Sequence, residues 1–141
     1  MYNVDQARID RYLECIPEVS QALSDAAASW TGTLMEGLAQ ERALHLAIEI
    51  VTDVGNLLID GFIMRDASSY EDIVEIIAME GVVSEQLAEP LKRLVTMRKA
   101  LVQEYEYWPR RELHPLAHSL PSLLLQFNDQ VKQYLIRELT L

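Results

Sequence analysis

Residues 33–64 read TLMEGLAQERALHLAIEIVTDVGNLLIDGFIM, and this stretch decides the fold. Apolar residues recur along it at the spacing of one helix face: Leu34, Leu38, Ala47, Val51, Val54, Leu58 and Phe62. An α-helix rises about 1.5 Å per residue, so a helix of this length is a rod that spans most of a small domain. The pattern therefore predicts one long central helix.

Shorter helical patterns lie on both sides of the central helix. One helix is predicted over residues 4–26, with Pro17 kinking it because proline lacks a backbone N–H. Another follows Ser68 or Ser69, either of which can cap its N-terminus, and Gly81 can end it.

Two more helices complete the prediction. The fourth is capped by Ser84 and continues through Tyr105 until Pro109 stops it. The last covers residues 115–139 and is interrupted or begins afresh near Pro121. About five helices with short connections predict an all-α, up-and-down bundle.

The composition indicates one globular domain over residues 1–141. Half of the residues are hydrophobic and 24% are charged, and no apolar run is long enough for a membrane helix. The N-terminus lacks the apolar core of a secretory signal, and Cys15 has no second cysteine with which to form an internal disulfide. We therefore expect a cytoplasmic protein without membrane association, in which Cys15 is a small packing residue.

The charge is acidic overall but basic in one region. Asp and Glu number 22 against 12 Lys and Arg, which argues against a protein that binds nucleic acid over its whole surface. Residues 92–111 reverse the balance, with Lys92, Arg93, Arg98, Lys99, Arg110 and Arg111 against Glu104 and Glu106. Charge alone also fits a solvated helix face followed by a charged turn.

Arg98 falls on the apolar side of the predicted fourth helix. At about 100° per residue, that side is formed by Leu87, Leu91, Leu94, Leu101, Val102 and Tyr105. An unpaired buried guanidinium is costly. Arg98 must therefore meet a carboxylate such as Glu49, Asp53 or Asp60, reach a solvent-filled cleft, or lie at a subunit interface.

The central helix carries a matching polar seam. Its members follow one helix face: His45, Glu49, Asp53, Asn56 and Asp60. Three interpretations stay open, namely a solvated face, a seam between helices or subunits that includes Arg98, and a metal site built from His45, Glu49 and Asp53. No second cluster with a recognised ligand spacing accompanies the seam, so neither a metal nor another cofactor is expected.

A resemblance to a known family covers nearly the whole chain. Residues 53–105, DVGNLLIDGFIMRDASSYEDIVEIIAMEGVVSEQLAEPLKRLVTMRKALVQEY, resemble the HepT-like ribonuclease toxins of the HEPN superfamily. The family's signature is an arginine, a histidine a few residues later, and a tyrosine two positions beyond the histidine. Arg98 and Tyr105 match this signature in register, whereas Gln103 occupies the histidine position and Lys99 replaces a common asparagine.

The resemblance implies an all-α HEPN-like fold and RNA cleavage without metal, with Arg98 and Gln103 in the catalytic positions. Arg98 can stabilise the charge of a phosphorane, but the amide of Gln103 does not titrate near neutral pH. General acid–base help is typically worth about 10² to 10⁴ in rate. A chain with glutamine at this position is therefore expected to be a weak ribonuclease or an inactive one.

The resemblance also implies partners. In the toxin systems a minimal nucleotidyltransferase antitoxin silences the toxin by attaching AMP to the signature tyrosine, which corresponds to Tyr105. An alternative interpretation makes Tyr105 a core aromatic with its hydroxyl at the rim. Lys92, Arg93 and Lys99 are expected to contact the RNA backbone.

Helix geometry separates the two signature residues. On a regular α-helix, Arg98 and Gln103 differ by about 140° and roughly 7.5 Å along the axis, so one subunit would not bring them together. A homodimer with a shared cleft would remove this difficulty, with Asp53, Asn56 or Glu49 supporting Arg98. The sequence thus supports a dimeric ribonuclease or, alternatively, a catalytically inactive dimeric module that binds or regulates through a nucleotidyltransferase.

Overall fold

The computed structural model of the protein describes residues 2–139. These residues form six α-helices and no β-strand, which confirms the predicted all-α bundle. The helices are α1 (Gln6–Leu13), α2 (Ile16–Ala28), α3 (Leu34–Gly61), α4 (Tyr70–Met79), α5 (Glu85–Thr96) and α6 (Leu120–Leu139). None of the helices in the described part of the chain is long and apolar enough to cross a membrane.

The central helix α3 organises the bundle, as the sequence predicts. Thr33 and Glu36 form a capping box at its start, in which the Thr33 hydroxyl accepts from the Glu36 N–H at 3.2 Å. α3 contacts α1, α2, α4 and α5, and it buries Leu44, Ile48 and Leu58 completely. Burial of such side chains stabilises the fold by about 1.5–3 kcal/mol each, before conformational entropy is counted.

The predicted first helix is two helices. α1 ends at Leu13, the chain turns at Glu14 and Cys15, and α2 places Pro17 in its first turn. Within a continuous helix, Pro17 would lose a hydrogen bond and its ring would clash with the carbonyl of Leu13, whereas a first turn tolerates proline. Cys15 at this turn is exposed, so its predicted role as a packing residue is wrong.

Serine residues cap the next two helices, as predicted. Ser69 rather than Ser68 begins α4, its hydroxyl accepting from the Asp72 N–H at 3.0 Å. Ser84 begins α5 by accepting from the Leu87 N–H at 3.1 Å. Gly81 follows α4 with a φ of 80°, a left-handed conformation that glycine adopts without strain.

α5 ends at Thr96, so the prediction that it continues through Tyr105 is wrong. A π-turn follows at Lys99–Gln103, closed by a hydrogen bond in which the Glu104 N–H donates to the Lys99 carbonyl at 3.0 Å. This bond joins residues five apart in sequence, instead of the four of an α-helix. A short 3₁₀ turn, Tyr105–Tyr107, comes next.

Polar contacts with the start of α3 hold the chain after the π-turn and favour this change of direction. The amide of Gln40, which is buried, donates to the Glu112 carbonyl at 3.0 Å and accepts from the His114 N–H at 2.8 Å. Arg110 binds the carboxylate of Glu41 with two nitrogens. A Cβ at Gly37 would collide with the Arg110 carbonyl, so only glycine allows this approach.

The last helix starts afresh, which is one of the two predicted outcomes. A 3₁₀ turn at Pro115–Ala117 precedes α6, and Pro121 lies in the first turn of α6. α6 packs mainly on α2 and also contacts α5, with Phe127 completely buried. The ends of α5 and of the π-turn remain at the surface beside α3 and α4.

Candidate functional site

Arg98 lies between α5 and the π-turn, with its guanidinium held by α3 and α4. Its Nε donates to Oε1 of Glu49 at 3.0 Å, and its Cζ lies 4.6 Å from the ring centroid of Tyr70. The side chain is 22% exposed. Arg98 therefore meets two of the three predicted conditions, since it binds a carboxylate and also reaches solvent.

The guanidinium lines an open cavity of about 320 Å³, which we name the Arg98 cavity. The start of α4, the end of α5 and the π-turn form it. Its lining residues are Ser69, Tyr70, Glu71, Val95, Thr96, Arg98, Lys99 and Gln103. Arg98 and Gln103, the two positions that the resemblance assigns to the signature, thus face one cavity within a single chain.

The π-turn explains why these two residues share a cavity. Hydrogen bonding from i+5 to i brings residues five apart onto the same side of the turn, and Arg98 and Gln103 are five apart. The expectation that one chain cannot bring them together rested on a regular α-helix through Tyr105. That expectation is wrong because the helix is interrupted.

The Arg98 cavity presents several hydrogen-bond donors. Within residues 2–139 the Arg98 side chain donates only through Nε, so neither terminal nitrogen has an acceptor, and the amide of Gln103 has no partner either. Lys99 is 74% exposed, and its Nζ lies 4.0 Å from Glu104 Oε2, a weak solvated pair. This arrangement suits an anion, which would accept from Arg98, Gln103 and Lys99 together.

Glu49 is the carboxylate of the polar seam that binds Arg98. Its Oε1 also lies 3.3 Å from Nε2 of His45, so imidazole and guanidinium converge on one oxygen. Asp53 makes no such bond. Burial and then the charge of Glu49 raise the pKa of the Asp53 carboxyl, although Arg8 and Arg98 oppose this shift.

The remaining seam residues lie apart from Arg98. Asn56 is exposed and borders a neighbouring cavity, and Asp60 is exposed near the end of α3. Among the described residues, no group of three or more His, Cys, Asp or Glu side chains could hold a metal ion.

Tyr105 projects into solvent with 59% of its surface exposed, so its interpretation as a core aromatic is wrong. The π-turn rotates it off the apolar stripe that Leu94 and Leu101 continue to form. It borders a separate cavity of about 310 Å³ together with Arg42 and His45.

The basic residues around α5 have different partners. Lys92 binds Glu75 and also lies 3.6 Å from Glu89, and its side chain is only 16% exposed. Arg93 is exposed and has no ionic partner in the described part of the chain. Arg93 and Lys99 are therefore more available to a ligand than Lys92 is.

Tyr70 contacts Arg98 but is not among the site residues predicted from the sequence. An aromatic residue directly after the capping Ser69, in an otherwise acidic first turn, was the available signal. Its contact with Arg98 depends on how α4 packs against α5, which no local pattern specifies.

Comparisons with known proteins show what the chain is similar to. The family model described as Ribonuclease HepT-like matches residues 5–121. A Bacillus subtilis protein named "Putative RNase YutE" is 41% identical over 139 residues, covering 99% of this chain and 95% of that protein. An Archaeoglobus fulgidus protein named "Putative RNase" is 29% identical over 128 residues, covering 91% of this chain and 96% of that protein.

A solved structure shares the fold. It is that of YutE from Bacillus subtilis, described as a cytosolic protein of unknown function. It matches with a TM-score of 0.89 and 38% identity, covering 99% of this chain and 96% of the YutE chain. The six-helix fold therefore has a counterpart in a solved structure.

Proposed function

Because the chain belongs to the HepT-like ribonuclease family, we propose that it is a metal-independent ribonuclease whose reaction centre is the Arg98 cavity. One observation carries the proposal: Arg98 and Gln103, the two signature positions, line this cavity together with Lys99. The donors in the cavity match the acceptor oxygens of a phosphate.

The proposed reaction is attack of a ribose 2′-hydroxyl on the adjacent phosphorus, which forms the P–O2′ bond of a 2′,3′-cyclic phosphate and breaks the P–O5′ bond. Water takes up the proton of the 2′-hydroxyl and supplies a proton to the leaving 5′-oxygen. Negative charge develops on the phosphate oxygens, and the terminal nitrogens of Arg98 are placed to stabilise it. Glu49 orients the guanidinium from the opposite edge. Gln103 donates a hydrogen bond that orients the phosphate, but its amide transfers no proton, so the rate is lower by about 10² to 10⁴ than with a histidine.

RNA reaches the cavity along exposed cations. Lys99 lines the cavity itself, and Arg93 is exposed on α5. Lys92 contributes to the backbone contact only when it leaves Glu75. With a formal net charge of -10, binding is confined to this region and weakens as salt rises.

A homodimer is part of the proposal. The start of α3 exposes Leu34, Met35 and Leu38 by 49%, 78% and 47%, and Tyr105 is exposed beside Leu38 at the same cavity. Apolar side chains in one patch suit a two-fold contact, which pairs the same surface of both subunits. Because Arg98 and Gln103 line one cavity within each subunit, the dimer is not needed to bring them together. Its role in the proposal is to form the cleft that both subunits share.

We extend the proposal to the family's partner. The exposed Tyr105 is accessible to a minimal nucleotidyltransferase that would attach AMP to its hydroxyl and block the cleft. Such a toxin–antitoxin pair would act in the cytoplasm. Intact-mass measurement after co-expression tests this part, since an added AMP on wild-type protein and none on Tyr105→Phe is the expected result.

The test of the ribonuclease is cleavage of labelled RNA by purified protein in the presence of a chelator. Wild type is expected to cleave slowly, Arg98→Ala not at all, and Gln103→His faster than wild type. Arg11→Ala, which removes an exposed arginine on α1, is the matched control and should behave as wild type. Cleavage that persists in Arg98→Ala would refute a reaction centre at this cavity.

The alternative function is a catalytically inactive dimeric module that binds RNA or regulates through a nucleotidyltransferase. Gln103 favours it, because the signature histidine is absent. If wild type binds RNA without cleaving it and only Gln103→His cleaves, the binding module is the correct function.

A further inference from the structure

A second cavity, of about 300 Å³, adjoins the Arg98 cavity. Asn56 of α3 borders it together with Ser68 and Ile73, and Ser69 and Tyr70 line both cavities. The start of α4 therefore separates two neighbouring cavities. The residues of the first include three that are charged, whereas those of the second are all neutral.

Tyr70 offers an aromatic surface beside this neutral cavity. It is 43% exposed, and the guanidinium of Arg98 packs against its ring with Cζ 4.6 Å from the centroid. A ring partly covered by a cation and partly open to solvent can stack on a nucleobase, whatever the base, because every base has a π-face.

Asn56 adds hydrogen-bonding capacity to the neutral cavity. Its amide has both donors and an acceptor, and none has a partner within residues 2–139. The edges of nucleobases also present donors and acceptors next to each other, and asparagine can bind such an edge with two bonds.

The segment that carries Tyr70 is fixed before any ligand binds. The Asp72 carboxylate accepts from both terminal nitrogens of Arg65 at 2.7 and 2.8 Å and from the Ser68 N–H at 2.9 Å. The Ser69 hydroxyl accepts from the Asp72 N–H at 3.0 Å. A ligand at Tyr70 would thus meet a preorganised surface and lose little free energy to ordering it.

We propose that Tyr70 and Asn56 form a nucleobase-binding subsite, which holds the base of the nucleotide whose phosphate lies in the Arg98 cavity. Tyr70 stacks on the base and Asn56 binds its edge. The inference rests on the proposed function only for the phosphate position, and it requires no cleavage.

The test compares ligands by calorimetric titration of the full chain: 5′-AMP, ribose 5-phosphate and inorganic phosphate. Wild type is expected to bind AMP about 5- to 150-fold more tightly than ribose 5-phosphate.

Tyr70→Leu should abolish this preference and Tyr70→Phe should keep it. Asn56→Ala should reduce AMP affinity by about 2- to 10-fold. Tyr107→Leu, outside both cavities, is the matched control.

Two outcomes would overturn the subsite. Equal affinity of wild type for AMP and ribose 5-phosphate means that no base is recognised. If Tyr70→Leu weakens inorganic phosphate as much as it weakens AMP, the ring only positions Arg98. Absence of RNA cleavage, by contrast, would overturn only the proposed ribonuclease function. A preference for AMP that depends on Tyr70 would still establish the subsite.

Discussion

Arg98 donates from Nε to Oε1 of Glu49 at 3.0 Å, and this single bond divides the guanidinium into two edges. The edge at Nε is held by α3, while the terminal nitrogens stay available to the cavity between α4, α5 and the π-turn. Arg98 is therefore paired with an acid at one edge and keeps donors for a second anion at the other.

Glu49→Gln should lower the free energy of unfolding by about 1 kcal/mol. Hydrogen bonds to charged groups contribute about 1.5–3 kcal/mol, and partial exposure of both side chains, 22% and 31%, reduces this value. Urea denaturation measures the change, with His45→Gln as the control that removes the other partner of Glu49. Unchanged stability in Glu49→Gln would mean that the pair contributes nothing to the fold.

Deleting Ala100 should convert the π-turn into ordinary α-helix. The shortened chain can form i+4 to i hydrogen bonds, and Arg98 and Gln103, then four positions apart, stay on one helix face about 40° from each other. We therefore expect helical circular dichroism and affinity for inorganic phosphate both to be retained. Ala100→Gly, which keeps the chain length, is the control. A loss of affinity by about tenfold, the value of one charged hydrogen bond, would show that the π-turn itself is needed to bring Gln103 to the anion.

Gly37→Ala should destabilise the protein by about 1–3 kcal/mol, as overpacking does. Alanine favours a helix over glycine by about 1 kcal/mol, but its Cβ would meet the backbone carbonyl of Arg110, which cannot rotate away. The collision therefore outweighs the gain in helix propensity. Thermal unfolding measures the loss, and hydrogen exchange should rise over residues 105–112. An increase in stability would show that this segment lies further from α3.

His114 should make the fold sensitive to mild acid. Its Nδ1 accepts from the Leu116 N–H at 3.0 Å, its ring stacks on Trp108, and burial lowers the pKa of the imidazole. The unfolded chain, with a histidine pKa of about 6.5, then takes up the proton more readily than the folded chain does. Stability is full above about pH 6.5 and decreases as the pH falls through the lowered pKa of the folded state.

The measurement is urea denaturation between neutral and mildly acidic pH. His114→Asn, whose Oδ1 can accept from Leu116, should lose this pH dependence, and the exposed His118→Asn should keep it. The same acid sensitivity in His114→Asn and wild type would assign it to another group.

Local patterns predict part of this fold well. Hydrophobic periodicity identified α3, and short-range capping chemistry identified the starts of α4 and α5, because these features involve residues within one turn of each other. The π-turn and the path of the chain after it depend on contacts such as Gln40 with His114, 74 residues apart. Nothing in the sequence near Lys99 indicates that such distant partners exist.

At the candidate site, too, the sequence predicts what nearby residues determine and does not predict what distant contacts determine. Sequence spacing placed Glu49, Asp53 and Asp60 on the side of α3 that could receive Arg98, but it could not choose among them. That choice depends on how far α5 slides along α3, which is set by side-chain packing along both helices. The structure selects Glu49, and it adds Tyr70 because α4 crosses the end of α5.

Cys15, exposed at the turn between α1 and α2, is the chain's only thiol, and this makes the protein convenient for spectroscopy. It borders a groove between α2 and α3 and lies outside the cavity of Arg98. A nitroxide attached there would place one spin on each chain without altering any wild-type side chain elsewhere. In a symmetric dimer the two nitroxides, one on each chain, would be separated by a single distance, which can be measured in frozen solution.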